Sequence, residues 1–311
     1  MGPYQSTPTT QKNHSPATGV HKSSILNAVA SDMQGWRNGM EDAHICATDI
    51  GGEDISIFGV FDGHGGKEVA KFVELHFVEE IVKLQEYKDK NFEEALIKVF
   101  QQMDEMMEKP EGQIELAKIR LGTNEEPLGG QSYAGCTANV ALFYKNTLYI
   151  ANAGDSRSVI CKNGKAVALS EDHKPEDTKE KTRIREAGGF VTEGRVNGNL
   201  NLSRALGDLE YKNNKDLKPC QQLIISKPDV TKTELNKDFE FLLMGCDGIW
   251  ECKSNQELIE FCKERIEKKM DIQTINSELL DEILAPDTSN GTGCDNMSVI
   301  LITFTQNWYN E

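Results

Sequence analysis

The sequence predicts an α+β fold built in layers, and two features of the chain carry this prediction. Segments with a helical spacing of apolar residues come in groups, and so do short apolar runs that are typical of strands. These groups do not follow the strict strand–helix–strand alternation of a doubly wound parallel sheet. We therefore expect sheets that are covered by helices.

A polar stretch opens the chain and is followed by a strand and two helices. Residues 1–23 are rich in Ser, Thr, Pro, Gln and Lys, which predicts a flexible leader. The apolar run 55–61 indicates a buried strand. Apolar residues at helical spacing predict one helix over 69–81 and a second over 92–103. Residues 108–135 are polar and hold several Gly and Pro, so we predict a surface loop there.

The middle and the end of the chain alternate short strands with a few helices. Asp177 and Glu180 have the spacing of a capping box, which predicts a helix that ends at Gly188. Residues 208–222 are polar and are predicted to form a flap. The other predicted elements are strands at 137–144, 147–153, 157–161, 165–169, 239–246 and 297–304, and helices from Ser254 and over 272–284.

Composition and charge narrow the class of protein. The chain has 311 residues and a net charge of −16, so its surface would repel nucleic-acid phosphates, and we expect no nucleic-acid partner. Its eight cysteines form no CxxC pair, and no apolar run reaches membrane-spanning length. We expect no disulfides, no transmembrane segment, a monomer, and a cytoplasmic or nuclear location.

The first residues, MGPYQS, leave two alternatives for the N-terminus. Gly2 and Ser6 have the spacing of an N-myristoylation signal, whereas Pro3 departs from the usual pattern. An unmodified tail is the alternative that we favour. An acylated Gly2 would instead give a weak membrane contact.

Three aspartates lie at the ends of predicted strands. Asp62 ends the predicted strand in FGVFDGHGG, Asp247 ends the strand in FLLMGCDGIW, and Asp295 precedes the strand in CDNMSVILITF. If the last strand runs antiparallel to the other two, its start lies beside their ends. The three carboxylates would then share one rim of the sheet.

Further acidic residues join this set and indicate a metal site. Glu41 and Asp42 lie in GWRNGMEDAH, and Asp155 lies on the turn in NAGDSRSV. Carboxylates within ~4 Å of each other repel by ~4 kcal/mol per pair at an effective dielectric constant of ~20, so cations or protons must neutralise such a cluster. Oxygen ligands favour Mg²⁺ or Mn²⁺ over Zn²⁺. Any one aspartate could also be an ordinary turn residue, so the prediction rests on the whole set.

Two other side chains near these acids are candidates for substrate chemistry. Arg37 could hold two phosphate oxygens, or it could form a surface salt bridge with Glu41 or Asp42. His64, two residues after Asp62, could be a metal ligand, a general acid or a turn residue. The sequence pattern alone leaves these alternatives open.

Nine strings, taken in order, connect the chain with a known family. They are GWRNGMEDAH, FGVFDGHGG, AGCTANVAL, ANAGDSRSV, LSEDHKP, GRVNGNLNLSRALGD, ISKPDV, FLLMGCDGIW and GCDNMSVILITF. Together they resemble the metal-dependent protein phosphatases of type 2C, over about residues 24–304. The resemblance implies a catalytic domain over 24–306 with a short C-terminal tail at 307–311. It also implies a four-layer αββα sandwich of two antiparallel sheets flanked by helices, with a two-metal site in the cleft at one end of the sheets.

The resemblance also implies ligands for the two Mg²⁺ or Mn²⁺ ions. Asp62 is implied to bridge both ions, with Asp247 and Asp295 completing the first metal site. Glu41 and the backbone carbonyl of Gly63 are implied to serve the second, mostly through waters. These residues are all present, which speaks against an inactive relative of the family.

Four further roles follow from the same resemblance. Asp155 is implied to support a weaker third metal site, shared with Asp247. Asp42 is implied to bind a metal-bound water, Arg37 to hold the substrate phosphate, and His64 to act as the general acid. Two departures are present: Cys136 stands where the family often has Ser or Thr, and the sequence after Asp208 is individual, which puts substrate preference in doubt.

The expected reaction is hydrolysis of phosphoserine and phosphothreonine in proteins, without a covalent intermediate. Two metals ~3.5–4 Å apart would lower the pKa of a bridging water that attacks phosphorus. No HCxxGxxR string is present, so a cysteine-dependent phosphatase is disfavoured. The rival hypotheses are a non-catalytic docking module with the same fold, and a metal-dependent hydrolase of another phosphate ester, such as a nuclease.

Overall fold

The computed structural model describes residues 4–17, 26–123, 125 and 130–304. The strands are β1 (Tyr4–Pro16), β2 (Leu26–Arg37), β3 (Ala43–Ala47), β4 (Ile55–Phe61), β5 (Gly63–His64), β6 (Gly135–Cys136), β7 (Ala138–Tyr144), β8 (Thr147–Ala153), β9 (Arg157–Lys162), β10 (Lys165–Ala168), β11 (Val191–Thr192), β12 (Arg195–Val196), β13 (Leu206–Gly207), β14 (Asp229–Glu234), β15 (Phe239–Gly245) and β16 (Met297–Phe304). The helices are α1 (Glu68–Lys83), α2 (Gln85–Lys88), α3 (Phe92–Glu108), α4 (Pro110–Leu121), α5 (Thr178–Glu186), α6 (Asp247–Trp250), α7 (Asn255–Glu267) and α8 (Ile272–Ile283).

Two antiparallel sheets form the centre of the molecule. One has the strand order β1-β2-β16-β15-β9-β10, and the other has the order β14-β8-β7-β4-β3. A small sheet, β13-β6-β5, lies at the end of the second. The strand pairs within these sheets are antiparallel. The predicted α+β class, with antiparallel sheets and flanking helices, is confirmed.

The alternation of side chains along β4 shows how the layers pack. Ile57 and Phe61 point to the helical side, where Phe61 meets Phe77 of α1 with ring centroids 6.2 Å apart. Phe58 points to the opposite side and packs in one cluster with Leu243 of β15. Successive residues of a strand face opposite sides, so an apolar residue at nearly every position buries both faces of the sheet. The order of layers is therefore helices, sheet, sheet, helices.

The N-terminal region differs from the predicted flexible leader. Tyr4–Pro16 forms β1, an edge strand that pairs antiparallel with β2. Without β1, the N–H and C=O groups on one side of β2 would face solvent unpaired, so a polar strand with prolines at an edge is a stable solution. The Lys12 ammonium also lies 2.6 Å from the Asp281 carboxylate of α8. Gly2, the domain boundaries at 24 and 306 and the predicted tail at 307–311 lie outside the described residues.

The predicted loop over 108–135 contains the helix α4. One of the residues that indicated a loop, Pro110, is instead the first residue of that helix. Pro110 occupies its first turn, where the missing N–H costs no hydrogen bond, and Gly122 ends it with a left-handed φ of 65°. The helix predicted from Ser254 is α7, and a capping box between Ser254 and Glu257 is present at its start.

The predicted flap folds as a loop with two short 3-10 turns, at Leu209–Tyr211 and Pro219–Gln221. It is tied to α3 by a buried ion pair, in which the Lys212 ammonium lies 2.6 Å from the Asp104 carboxylate. Asp104 also accepts a hydrogen bond of 2.8 Å from the backbone N–H of Gly207. Whether this segment moves during function stays a prediction.

Candidate active site

The three aspartates at strand ends meet in one pocket of about 340 Å³. Asp247 follows β15 and Asp295 precedes β16, and these two strands are antiparallel neighbours, as predicted. Asp62 follows β4, which belongs to the other sheet. The expectation that all three share the rim of a single sheet is therefore wrong, because the pocket lies in the cleft between the two sheets.

Burial and mutual repulsion act together on these carboxyl groups. Burial raises the pKa of Asp62 well above its ordinary value, and the negative charges of Asp247, Asp42, Asp155 and Asp295 raise it further. The pKa of Asp247 is raised for the same reasons, first by burial and then by Asp155 and Asp295. Without a cation, the folded protein therefore disfavours charge on these acids. A bound cation would reverse this preference.

Glu41 and Gly63 lie against each other at the edge of this pocket. A Cβ atom at position 63 would overlap the backbone carbonyl oxygen of Glu41, so only glycine allows the two segments to approach so closely. Asn296 fixes the other side of Glu41, since its Oδ1 accepts a 3.0 Å hydrogen bond from the Glu41 N–H. Its Nδ2 donates to the carbonyl oxygen of Gly39 at 2.9 Å. Asn296 thus ties the loop before β3 to the start of β16.

Asp42 lies beneath the pocket, and only one of its two carboxylate oxygens makes a hydrogen bond. Its Oδ2 accepts a 2.7 Å hydrogen bond from the Ser298 hydroxyl, whereas its Oδ1 is buried and makes no hydrogen bond. Burial raises the pKa of Asp42 to about 7. An unsatisfied buried oxygen costs free energy unless water or a ligand completes it, so Oδ1 is suited to accept from a bound water.

The donor set fits hard divalent cations held partly by water. Among the residues that the structure describes, no three His, Cys, Asp or Glu side chains form a group that could hold a metal ion by themselves. The acids Glu41, Asp62, Asp247 and Asp295 nevertheless line one pocket, together with Gly63. Mg²⁺ commonly binds through one or two carboxylates and keeps several waters, which agrees with this arrangement.

Asp155 is buried at one end of the same pocket and already has a cationic partner. The ammonium of Lys174 forms an ion pair with its Oδ2. Lys174 belongs to the string LSEDHKP, but the sequence interpretation gave it no role. A cation at Asp155 would have to share this carboxylate with Lys174 or displace it.

Arg37 reaches the pocket from the end of β2. Its Nη2 donates to Asp295 Oδ2 at 2.5 Å, and not to Glu41 or Asp42 as one alternative from the sequence had it. Its Nε is buried without a hydrogen-bond partner. Asp295 Oδ1 accepts from the N–H of Asn296 at 2.7 Å, which leaves further lone pairs on both oxygens. The guanidinium therefore keeps donors for an anion while it is held beside a predicted metal ligand.

His64 is paired with Asp208, a contact that the sequence interpretation missed. His64 Nε2 lies 2.7 Å from Asp208 Oδ2, and the Asp208 side chain is 3% exposed. Burial lowers the pKa of His64, but the charge and hydrogen bond of Asp208 outweigh burial and raise it above the ordinary value. The small sheet brings the two together, since His64 lies on β5 and Asp208 follows β13. Asp208 ends the string GRVNGNLNLSRALGD, where it was counted only as the start of a flap.

The comparisons with known proteins agree on one family. The family model described as Protein phosphatase 2C matches residues 27–292. The Probable protein phosphatase 2C 4 of Paramecium tetraurelia is 55% identical over 306 residues, which cover 97% of this chain and 98% of the relative. The Probable protein phosphatase 2C 21 of Arabidopsis thaliana is 41% identical over 335 residues, covering 98% and 93%.

A solved structure shows the same architecture. The crystal structure of a phosphatase from Toxoplasma gondii superposes with a TM-score of 0.75 at 25% identity, covering 94% of this chain and 96% of that one. In the part of the chain that the structure describes, none of the helices has the length and apolar character needed to cross a membrane.

Proposed function

This chain belongs to the protein phosphatase 2C family and is a protein phosphatase, and from this premise we propose that two Mg²⁺ or Mn²⁺ ions serve the hydrolysis of phosphoserine and phosphothreonine. The observation that carries the proposal is the set of acids in the pocket. Burial and mutual repulsion raise the pKa values of Asp62 and Asp247, so charge on this set needs a cation close by.

The net charge of the chain makes a local cation necessary for the substrate as well. A protein of charge −16 repels a phosphorylated partner at long range, and this repulsion weakens with ionic strength. Arg37 and Lys174 supply positive charge at the pocket. Bound divalent ions would supply the rest.

The proposed roles of the ligands are those that the family resemblance implies, and the position of these residues in one pocket supports them. Asp62, Asp247 and Asp295 would hold the ions, with Glu41 and the Gly63 carbonyl contributing through waters. A weaker third site at Asp155 is part of the proposal. When bound, such ions polarise phosphoryl oxygens and make a water acidic enough to react near neutral pH.

The remaining steps belong to side chains of this chain. The guanidinium of Arg37 holds phosphoryl oxygens and offsets their charge. The free Oδ1 of Asp42 accepts a hydrogen bond from a water and so orients it. The water gives one proton to solvent, and as its oxygen forms a bond to phosphorus, the bond from phosphorus to the serine or threonine oxygen breaks. His64 gives its proton to that oxygen, and Asp208 stabilises the charged imidazole before the transfer.

A phosphopeptide assay with the purified full chain tests the proposal. Activity should vanish with EDTA and return with Mn²⁺ or Mg²⁺, whereas Asp62→Asn should stay inactive under both conditions. The variant Asp54→Asn, at an exposed aspartate before β4, is a matched control that should behave as the wild type. Hydrolysis that persists undiminished in EDTA would remove the two-metal proposal.

The rival hypothesis, a docking module without catalytic activity, predicts the opposite result in the same assay. A chain with this fold that binds phosphoproteins without turnover would retain a phosphopeptide but release no phosphate with either metal. Hydrolysis of the phosphopeptide also distinguishes a protein phosphatase from a hydrolase of nucleic acids. The net charge of the chain disfavours the nucleic-acid hydrolase.

A further inference from the structure

The position of Arg37 raises the question of what holds its guanidinium in place. The side chain is 33% exposed at the end of β2, and one donor, Nη2, is held by Asp295. Its Nε has no hydrogen-bond partner. A long side chain held at a single point loses much rotational freedom when it binds an anion, unless a second contact restrains it beforehand.

The strand β1 supplies such a contact. Tyr4 pairs with Arg37 in the β1–β2 register, and the Cζ atom of Arg37 lies 5.9 Å from the centre of the Tyr4 ring. That distance is within the range of a cation–π interaction. Burial raises the pKa of the Tyr4 hydroxyl, Arg37 lowers it and Asp295 raises it, as expected for a ring that lies beside the ion pair.

The path of β1 shows that this pairing is made despite an interruption. Tyr4 pairs with Arg37 and Thr9 with Gly35, so β1 uses five residues where β2 uses two. Pro8 lies in this irregular stretch, a position that suits a residue without a backbone donor. Gln5 lies in the same stretch and keeps a contact with β2, because its Nε2 donates to the Arg37 carbonyl oxygen at 2.7 Å.

We propose that Tyr4 is a positioning residue for the phosphate site: its ring covers one side of the Arg37 guanidinium and keeps the free donors directed into the pocket. The proposal rests on the proposed function, in which Arg37 binds the substrate phosphate. It makes the N-terminal strand a part of the active site, although the sequence predicted a flexible leader there.

Kinetics of Tyr4 variants test the proposal in the full chain with saturating Mn²⁺. Tyr4→Ala should raise KM for a phosphoserine peptide about two- to fivefold with kcat nearly unchanged, the range that a partly exposed cation–π contact represents. Tyr4→Phe keeps the ring and should behave as the wild type. Lys12→Ala removes an ion pair of the same strand, away from the pocket, and should leave KM unchanged. An unchanged KM in a folded Tyr4→Ala protein would overturn the proposal.

A double-mutant cycle shows whether Tyr4 acts through Arg37. In an Arg37→Ala background, Tyr4→Ala should have no further effect on KM, whereas an undiminished effect would mean that Tyr4 contacts the substrate independently and would contradict the proposal. Nuclear magnetic relaxation of the Arg37 Nε–H group gives a readout that needs no turnover. Its order parameter should fall in Tyr4→Ala and stay constant in Tyr4→Phe and Lys12→Ala.

These measurements keep the two proposals apart. If the wild type shows no metal-dependent hydrolysis, the proposed function fails, while the relaxation data still decide whether Tyr4 restrains Arg37. If the wild type is active and neither KM nor the order parameter of the Arg37 Nε–H group changes in Tyr4→Ala, only the positioning role fails.

Discussion

His64 and Asp208 are 144 positions apart in the chain, yet the His64 Nε2 and Asp208 Oδ2 atoms lie 2.7 Å apart. The pair is possible because β5 and β13 both pair with β6, a strand of two residues in the small sheet. The histidine proposed as the proton donor lines the pocket and is therefore held by the segment that leads into the predicted flap.

The variant His64→Gln tests whether this histidine donates the proton to the leaving oxygen. We expect kcat for a phosphoserine peptide to fall by about a hundredfold or more, the size of a general-acid contribution. Hydrolysis of p-nitrophenyl phosphate should change little, because its leaving group needs little protonation. Steady-state kinetics on both substrates measure the difference. Equal losses on the two would exclude the role.

The variant Asp208→Asn tests the support that His64 receives. Asparagine keeps the shape and tolerates the left-handed backbone of Asp208, whose φ is 48°, but it removes the charge. Since Asp208 raises the pKa of His64, its loss should lower that pKa and shift the alkaline fall of kcat for phosphoserine peptides to lower pH. On the alkaline side of the profile we expect a lower kcat than that of the wild type, because a smaller fraction of His64 carries the proton there. An unshifted pH profile would contradict this.

Gly135 has no side chain, and this leaves free the space in which His64 and Asp208 meet. A Cβ atom at this position would overlap Asp208 Oδ2 and come within 2.6 Å of His64 Nε2. Gly135→Ala should therefore reduce kcat on phosphoserine peptides and spare p-nitrophenyl phosphate, as in His64→Gln. Gly39→Ala is the control, because Gly39 lines the same pocket and its added Cβ would meet nothing within 4 Å. Equal activity of the two alanine variants would show that the pair needs no such space.

Glu180 on α5 is 2% exposed and forms ion pairs with Arg183 and Arg204, at 2.7 Å from Arg204 Nη2. Burial raises the pKa of Glu180, but the two arginines outweigh burial and lower it to about 2 from an ordinary 4.5. Stability from this group is thus complete above pH 4.5 and is lost as the pH falls through about 2.

Glu180→Gln should therefore lower the free energy of unfolding at pH 7 by about 3 kcal/mol. Urea denaturation should show nearly the same deficit at pH 7 and pH 5 and a smaller one at pH 3.5, because Glu180 of the unfolded wild-type chain, with its ordinary pKa of 4.5, takes up a proton there. Glu176→Gln is the control, since this exposed glutamate pairs only with Lys181 among the described residues. A deficit that grows toward low pH would contradict the assignment.

The positions of the main acids could be predicted from the sequence, whereas several of their partners could not. Asp62, Asp247 and Asp295 stand out because each adjoins an apolar run, and strand ends are readable from local patterns. The contact of His64 with Asp208 depends on a sheet whose strands have two residues each, which is too short for a sequence pattern to indicate.

Glu180 shows how a local pattern can conceal a tertiary contact. Its spacing from Asp177 predicted a capping box, but the Asp177 side chain makes no capping hydrogen bond to α5, and Glu180 turns inward to Arg204.

Likewise, β1 was predicted to be flexible because its polar composition gives no core-forming pattern. The open edge of β2 stabilises it as a strand, and that edge exists only in the folded protein.

The nearness of Tyr4 to Arg37 has a practical consequence for work with this protein. A purification tag fused at the N-terminus would be joined only three residues before Tyr4, beside the group proposed to hold the phosphate. A cationic or acidic tag there changes the local field within a Debye length of about 8 Å at physiological salt. Kinetic constants measured on such fusions describe the tag as well as the enzyme, so removing the tag before the assay or fusing it at the other end is the sound choice.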